Sequence, residues 1–321
     1  SPVSTRQAVG EHRGGTQDTL LASVISRSAP RPSHDDERTP VTAATSSPRS
    51  RLFERLADEV VAAELAPGPT DDAPVTEADL AKHPEAVQRY LTFMGVVGRP
   101  RDWSFRARFV GRFRLRPRLG WMPAEAWQFN SSTEITRIFV MRLRFAHVVP
   151  MIGRDTYVRG HGRMLGKLFD RVTVADGQGP ELDIGELTTY LNDALLLAPS
   201  MLLTPSTRWV GVDRDTFDVT LSDSGCSVTG RAYLDADGAI RDFSTTDRFA
   251  DLPGGLVRAE WRTPVQRWDR LDGRPIPGPM RAVWHLPDGP LPYVEGRLMP
   301  DSIVFNGPLP TRARRLGPPR R

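Results

Sequence analysis

The feature that most constrains the fold is an alternation of side chains that starts at Trp103. Aromatic and small residues occupy every second position as far as Leu115, and arginines occupy most of the positions between them. Successive side chains of a β-strand point to opposite faces, whereas a helix would mix these two sets on one surface. The segment therefore predicts a strand with one face in the core and one cationic face.

Shorter alternations of the same kind follow this strand. Arg142 and Arg144 fall on one side of the next such segment, and Arg159, His161 and Arg163 fall on one side of a third. We therefore expect neighbouring strands to share a basic face. The aromatic residues of the first strand alternate onto the opposite face, where they cannot stack bases beside the arginines. Nucleic acid is for this reason not favoured as a partner.

Strand patterns return after residue 207 and continue through the C-terminal part of the chain. Asp-Gly pairs occur between apolar runs at positions 176–177, 237–238, 272–273 and 288–289. Asp-Gly is the pair that two-residue hairpin turns favour, so it indicates strands that follow one another in antiparallel order. The pattern predicts a mainly β (α+β) fold, with a large curled antiparallel meander sheet or half-barrel of roughly ten strands.

Three segments have helical periodicity instead. Residues 51–65 and a second segment after Pro84 have the apolar stripe of core-facing helices, and both precede the sheet. A third helix is predicted to open at Asp183, which forms a capping box with Glu186, and to run to about residue 203. Its second half is apolar nearly all round, so we expect this inserted helix to be buried against the sheet.

The composition is uneven along the chain and predicts one folded domain. Residues 1–50 contain no aromatic side chain, so we expect a disordered arm there, a single β-rich domain over 51–305 and a basic disordered tail over 306–321. No segment has the ~20 apolar residues that span a bilayer or the core of a signal peptide. The single cysteine, Cys226, is typical of a reducing compartment, and we expect a cytoplasmic location.

Motifs for cofactors and metals fail on spacing. The glycines of residues 160–167 resemble a phosphate-binding loop, but Leu165 stands at the third glycine of the dinucleotide pattern and Leu168 replaces the Ser or Thr of the P-loop. The six histidines do not approach the spacing of metal ligands. We therefore expect neither a cofactor nor a metal ion.

Candidate site residues are polar side chains that the predicted strands and the inserted helix could bring to one cavity. Candidates for acid, base and charge-stabilising roles in catalysis are His161, Asp247, Arg248 and Asp193. Candidates for ligand binding combine the basic strand faces with two leucines of the inserted helix: Arg142, Arg144, Arg159, His161, Arg163, Leu195 and Leu202. The alternative is a solvated face whose arginines pair with some of the 39 acidic residues of the chain.

Several longer segments resemble a bacterial family of uncharacterised proteins, found widely in high-GC actinobacteria, that carries only a domain-of-unknown-function label. The resemblance covers residues 83–308 and implies a common fold without assigning an activity. The order of helix pair, long meander, inserted helix and further meander is more loosely similar to the half-barrel of lipoprotein carriers. The residues that carry the family resemblance are 84–91 (PEAVQRYL), 181–203 (ELDIGELTTYLNDALLLAPSMLL), 242–249 (DFSTTDRF), 261–265 (WRTPV) and 283–293 (VWHLPDGPLPY).

Three functions compete at this point. The leading one is binding of a hydrophobic or amphipathic anionic small molecule or lipid in a pocket of the curled sheet, which the inserted helix would plug. The alternative is a cofactor-independent isomerase, cyclase or hydrolase, which requires the four catalytic candidates to converge in that pocket. The third is an interaction of the basic face and tail with an acidic partner or a membrane surface.

Overall fold

A computed structural model describes residues 48–69, 73–114, 120–145, 148–252 and 254–310. Residues 1–47 of the predicted arm, and the predicted tail beyond residue 310, lie outside these ranges. The helices α1 to α4 are Pro48–Ala62, Glu77–Leu80, Glu85–Phe93 and Pro180–Leu197, and two 3₁₀ helices are Pro199–Leu202 and Pro300–Ser302. The strands β1 to β18 are, in chain order, Ser104–Phe113, Met122–Ser131, Thr136–Phe145, Val149–Val158, His161–Leu168, Val172–Gln178, Thr207–Asp213, Thr216–Asp223, Cys226–Leu234, Ile240–Thr245, Phe249–Leu252, Gly255–Arg258, Glu260–Arg262, Trp268–Leu271, Arg274–Pro277, Met280–Leu286, Gly289–Leu298 and Val304–Phe305.

The described strands form one large antiparallel sheet of 14 strands and two small hairpins. The order across the sheet is β6-β5-β4-β3-β2-β1-β17-β16-β13-β10-β9-β8-β7, and β18 also pairs with β1. The sheet is not closed, because β6 and β7 are its two edges. The hairpins are β11 with β12 and β14 with β15. These findings confirm the predicted mainly β fold with a large antiparallel sheet and few helices.

Three of the four Asp-Gly pairs lie between paired strands. At Asp272-Gly273 both residues have positive φ angles, of 48° and 75°, which is the conformation that a two-residue hairpin turn requires. The pairs at 237–238 and 288–289 link β9 to β10 and β16 to β17. The fourth pair, Asp176-Gly177, lies inside β6, where both residues pair with β5. A pair typical of turns is here overridden by pairing with the neighbouring strand.

Helices α1 and α4 pack on opposite faces of the sheet. Leu56 of α1 belongs to a buried cluster with Ile138 and Val140 of β3. Arg137, the neighbour of Ile138 on the same strand, forms ion pairs with α4 instead. Because successive side chains of a strand point to opposite faces, residues in phase with Arg137 form the face that carries α4, called the inner face here, and residues in phase with Ile138 form the outer face.

Helix α4 starts three residues earlier than the capping box predicts. Pro180 occupies its first turn, after Gly179, and the carboxylate of Asp183 accepts a hydrogen bond of 2.6 Å from the backbone N–H of Gly162 on β5 instead of capping the helix. A Cβ atom on Gly162 would lie 2.1 Å from the carbonyl oxygen of Leu182. The start of α4 is therefore set by close contact with β5, which a glycine on the inner face permits.

The main core lies between α3, α4 and the inner face of the second half of the sheet. Tyr90 of α3 is fully buried, contacts the ring of Phe217 on β8, and donates a hydrogen bond of 2.6 Å to the carbonyl oxygen of Leu195. This bond satisfies a phenol that burial would otherwise penalise. Leu195 and Leu202, two of the predicted ligand-binding residues, are 0% and 1% exposed within this core.

The folded chain extends beyond the predicted domain end at residue 305. The side-chain oxygen of Asn306 accepts a hydrogen bond of 2.7 Å from the backbone N–H of Trp103, and its amide donates one of 2.9 Å to the carbonyl oxygen of Arg101. Leu309 packs against the α1 cluster. These contacts attach residues 306–310 to the start of β1. None of the described helices is long and apolar enough to cross a bilayer.

Candidate functional site

A buried arginine joins α4 to the inner face of the sheet. Nε of Arg137 donates a hydrogen bond of 2.8 Å to Asp193, and Nη1 donates one of 2.8 Å to Glu186. The two carboxylates are seven residues apart, so they lie on the same side of α4, two turns from each other. Gln128 on β2 donates a further bond of 2.6 Å to Asp193. Arg137 is 5% exposed, so these charge-assisted bonds replace its water.

The acid groups around Arg137 have unusual proton affinities. Burial raises the pKa of Glu186 to about 7, although the guanidinium of Arg137 opposes this change and Asp155 adds to it. Burial also raises the pKa of Asp155, against Arg137 and Arg248. For Arg137, burial alone would lower the pKa, but the carboxylates of Asp193, Glu186 and Asp155 outweigh it and raise the pKa. Raised carboxyl pKa values at one place are typical of functional sites.

Asp155 of β4 is the one carboxylate of this group without a hydrogen bond to a described residue. It lies on the inner face, directly between Phe139 on β3 and Met164 on β5. Neither neighbour can donate a hydrogen bond to a carboxylate, and the side chain is half-buried. The carboxylate is therefore free to accept a hydrogen bond from a molecule on the inner face.

Arg248 reaches the same place from the loop between β10 and β11. Its guanidinium carbon lies 4.3 Å from the centre of the Trp261 ring and 5.5 Å from that of Trp284, and Nη1 donates a long bond of 3.3 Å to Tyr293. Its Nε is buried and has no hydrogen-bond partner among the described residues. Thr188 of α4 holds the loop, because its hydroxyl donates a bond of 2.7 Å to the carbonyl oxygen of Asp247.

The rings around Arg248 form a continuous aromatic wall, consisting of Trp261, Trp284 and Tyr293. Nε1 of Trp261 donates a bond of 3.1 Å to the hydroxyl of Tyr293, and the ring of Tyr293 stacks on Trp284 at 5.9 Å with an angle of 23°. Tyr293 also meets the edge of Phe113, 5.6 Å away. The wall therefore places two tryptophan rings at cation–π distance from the Arg248 guanidinium.

An apolar patch continues from the aromatic wall across the inner face of β1 to β6. Its half-exposed members include Phe109, Phe113 and Phe139, and its buried members include Met141 and Met151. Methionine and phenylalanine side chains adapt to acyl chains and aromatic ligands. We call Arg137, Asp155, Glu186, Asp193 and Arg248 the inner-face cluster. The cluster and the apolar patch meet at Phe139, whose ring lies 5.0 Å from the guanidinium of Arg137.

The structure brings two of the four catalytic candidates into the inner-face cluster and places two elsewhere. Asp193 and Arg248 belong to the cluster. His161 is the first residue of β5; its side chain is 84% exposed, and its Nδ1 lies 4.0 Å from Asp183 of α4, outside the cluster. Asp247 accepts a hydrogen bond of 2.8 Å from the backbone N–H of Thr229 and pairs with Arg258, so it points away from Arg248. The convergence of all four that the enzyme hypothesis requires does not occur.

The predicted basic face is the outer face, and most of its arginines are paired. Glu125 bridges Arg108 and Arg142 at 2.8 and 2.5 Å, while Arg163 pairs with Asp176 at 2.9 Å. Arg144 is exposed on the same face. This pairing matches the alternative of a solvated face with acidic partners.

Arg159 requires a correction, because it does not lie on a strand. It occupies the two-residue turn between β4 and β5 with a φ angle of 52°, followed by Gly160 at 81°. Its guanidinium donates a bond of 3.2 Å to the carbonyl oxygen of Ala63, after α1. The alternation that seemed to continue from Tyr157 through Arg159 is interrupted by the tight turn between two strands.

Arg137, Asp155 and the aromatic wall were not predicted as parts of a site, and Glu186 was predicted only as a capping residue of the inserted helix. A signal was present for two of them: Arg137 is in phase with Phe139 and Met141, and Asp155 is in phase with Tyr157. A charged residue on the apolar side of an alternating strand has to be paired or functional. The wall gave no such signal, because tryptophan and tyrosine are common core residues.

A small cavity lies apart from the cluster, between α3 and the 3₁₀ helix Pro199–Leu202. Its polar lining is satisfied internally: Arg274 pairs with Asp102 at 2.9 Å, and the hydroxyl of Ser200 donates a bond of 2.9 Å to Asp102. The cavity has space for about one water molecule.

The raised pKa of Glu186 predicts a pH-dependent stability. Because the folded state holds this proton more tightly than the unfolded chain, the stabilisation is complete below a pH of about 4.5 and is lost as the pH rises towards about 7. The free energy of unfolding of Glu186→Gln, relative to that of the wild type, should therefore rise by up to roughly 3 kcal/mol between pH 5 and 8, at ~1.4 kcal/mol per unit of pKa difference. Urea unfolding of both proteins at four pH values measures this gain.

Asp176→Asn is the control for this measurement. The hydrogen bond from Arg163 lowers the pKa of Asp176 below its ordinary value of 3.8, so its titration is complete before pH 5. The free energy of unfolding of this variant should differ from that of the wild type by the same amount at every pH between 5 and 8. If the free energies of unfolding of the wild type and of Glu186→Gln vary with pH in parallel, the raised pKa of Glu186 is contradicted.

Comparison with known proteins identifies the family of the chain. A family model described as a family of unknown function, DUF6544, matches residues 73–296. A search of curated proteins found no match. The match to the family model confirms the resemblance of residues 83–308 to a family of unknown function.

Solved structures resemble the chain at low identity. One is a putative outer membrane lipoprotein-sorting protein domain from Vibrio parahaemolyticus, with 10% identity, a TM-score of 0.38, and coverage of 70% of this chain and 93% of that one. A DUF1329 family protein from Desulfovibrio piger has 11% identity and a TM-score of 0.38, covering 73% and 94%. A LolA superfamily protein from Nitrosomonas europaea has 11% identity and a TM-score of 0.35, covering 67% and 91%. At these identities the likeness concerns the fold alone.

Proposed function

The chain belongs to the DUF6544 family of unknown function, so its role has to come from the inner-face site, and we propose that it binds an amphipathic small molecule or lipid there. The polar head group lies at Arg248, and the apolar part lies on the apolar patch. The observation that carries the proposal is the position of Arg248, whose guanidinium lies over the Trp261 ring and whose buried Nε has no hydrogen-bond partner among the described residues.

The arginine is prepared for an anionic or strongly accepting group. A guanidinium has five N–H donors, and among the described residues only one long bond, to Tyr293, uses them. Leaving a buried donor without a partner is costly, so a ligand oxygen that accepts from Nε recovers free energy that the unliganded protein lacks. Stacking on Trp261 also means that little side-chain entropy is lost on binding.

The apolar patch suits the other end of such a molecule. Phe109, Phe113 and Phe139 are half-exposed on the inner face, beside the buried methionines. A contiguous apolar surface that the rest of the protein covers only in part is typical of ligand-binding grooves. Each methylene of a bound chain that leaves water should strengthen binding by about 0.8 kcal/mol, or roughly fourfold.

Replacement of Arg248 should weaken binding without unfolding the protein. With dodecyl phosphate as the probe, titrated by calorimetry below its micelle concentration, Arg248→Met should raise Kd by about tenfold or more, because charge-assisted bonds are lost. Octyl phosphate should bind the wild type far more weakly than dodecyl phosphate, because fewer methylenes are buried.

Arg241→Met is the matched control. Arg241 also stacks on an aromatic ring, that of Tyr233 at 5.8 Å, but it is exposed and does not belong to the inner-face cluster. Its replacement should leave Kd unchanged. Equal losses in both variants, or equal affinity of the two chain lengths, would show that the probe binds through nonspecific charge and would refute the proposed site.

A further inference from the structure

The charges of the inner-face cluster do not suit a simple anion. The cluster contains two guanidiniums, of Arg137 and Arg248, and three carboxylates, of Asp155, Glu186 and Asp193. Arg137 is occupied by Glu186 and Asp193, with which it makes hydrogen bonds. Arg248 and Asp155 remain, one cation and one anion, and they interact electrostatically without a hydrogen bond between them. A head group placed at Arg248 would therefore also interact electrostatically with Asp155.

Asp155 needs a donor that the protein does not supply. Its strand neighbours, Phe139 and Met164, are apolar, and no described residue donates a hydrogen bond to it. The carboxylate is half-buried, so water solvates it only in part, and an anionic head group placed at Arg248 would add repulsion. A head group that also carries a cationic N–H donor would remove both costs.

On the basis of the proposed function, we infer that the bound amphipath has a zwitterionic head group, whose anionic oxygen pairs with Arg248 and whose ammonium group pairs with Asp155. Arg248 and Asp155 therefore bind opposite charges of one head group. Asp155 is thus a specificity-determining residue, while Arg248 provides affinity for every acidic head group.

The test compares lipids that differ only in the head group. Lauroyl lysophosphatidylethanolamine carries a phosphate and an ammonium, lauroyl lysophosphatidic acid carries the phosphate alone, and monolauroylglycerol carries neither. Calorimetric titration at pH 8, below the micelle concentrations, should give the wild type about a tenfold preference for the first lipid over the second. Monolauroylglycerol should bind most weakly.

Asp155→Asn should abolish the preference, and Arg248→Met should weaken both phospholipids. Met164→Leu, the strand neighbour of Asp155, is a volume-conserving control that should leave the preference intact. Unfolding curves establish that each variant is folded. If Asp155→Asn is not folded, Asp155→Ser is used in its place.

The outcomes separate this inference from the proposed function. If both phospholipids bind equally and Asp155→Asn changes neither, the zwitterion assignment is refuted while the lipid-binding function stands. If neither lipid binds the wild type, or Arg248→Met has no effect on either, the proposed function fails and the inference fails with it.

Discussion

Arg137→Met is expected to lower the free energy of unfolding by about 3–5 kcal/mol, the range for removal of one partner from a buried ion pair. The loss is large because Glu186 and Asp193 would be left without their shared cation at 5% and 17% exposure. Methionine keeps most of the volume, so cavity formation adds little. Urea unfolding at pH 7 measures the change.

Two further variants show whether charge is the cause. Arg163→Met removes an arginine from the pair with Asp176 on the outer face, where both side chains are well exposed, and should cost about 1 kcal/mol or less. The triple variant Arg137→Met, Glu186→Gln, Asp193→Asn removes the uncompensated carboxylates and should recover much of the loss. If Arg137→Met and Arg163→Met lower the free energy of unfolding equally, the burial of Arg137 in the inner-face cluster is contradicted.

Leu195→Ala is expected to lower the free energy of unfolding by about 3–4 kcal/mol, because it removes three side-chain carbon atoms from a fully buried site and leaves a cavity. Leu195 is 0% exposed in the main core, under the Tyr90 hydroxyl that bonds to its carbonyl oxygen. Urea unfolding measures the stability, and dodecyl phosphate titration of the folded variant should give an unchanged Kd.

Leu256→Ala provides the comparison for the core leucine. Leu256 lies in the β11–β12 hairpin and is 45% exposed, so its replacement should change stability by no more than about 0.5 kcal/mol. If Leu195→Ala is equally mild, α4 does not pack on the core as described. If it instead abolishes probe binding while the protein remains folded, Leu195 contributes to the ligand surface as the sequence analysis proposed.

Much of the architecture could be predicted from local patterns. The alternation from Trp103 predicts β1, and β1 does place its phenylalanines on the inner face and Arg106, Arg108 and Arg112 on the outer face. Strand alternation is reliable here because each strand has one face against the core and one towards solvent or ion pairs. The inserted helix was predicted in the right place but with the wrong start, because Asp183 bonds to β5 instead of to its own helix.

The inner-face cluster could be predicted only in part. Arg248 and Asp193 were predicted as polar side chains that could line one cavity, but their partners come from β3, β4 and the start of α4. Arg137 is 49 residues from Glu186 and 56 from Asp193, and no sequence period connects them. His161 and Asp247 were predicted as candidates for the same reason, but neither belongs to the inner-face cluster. His161 is exposed at the start of β5, and Asp247 bonds to Thr229 and Arg258.

The sequence by itself determined the antiparallel sheet, its two-faced strands and the burial of the helix from Pro180 to Leu197, because these depend on periodicity and on the solvation of nearby side chains. The tertiary structure alone decided which face of the sheet α4 covers and which charged residues meet beneath it. It also decided that most arginines of the outer face have acidic partners, while Nε of Arg248 and the carboxylate of Asp155 have no hydrogen bond to a described residue. Those outcomes depend on strand order and on contacts between distant segments, which no local pattern encodes.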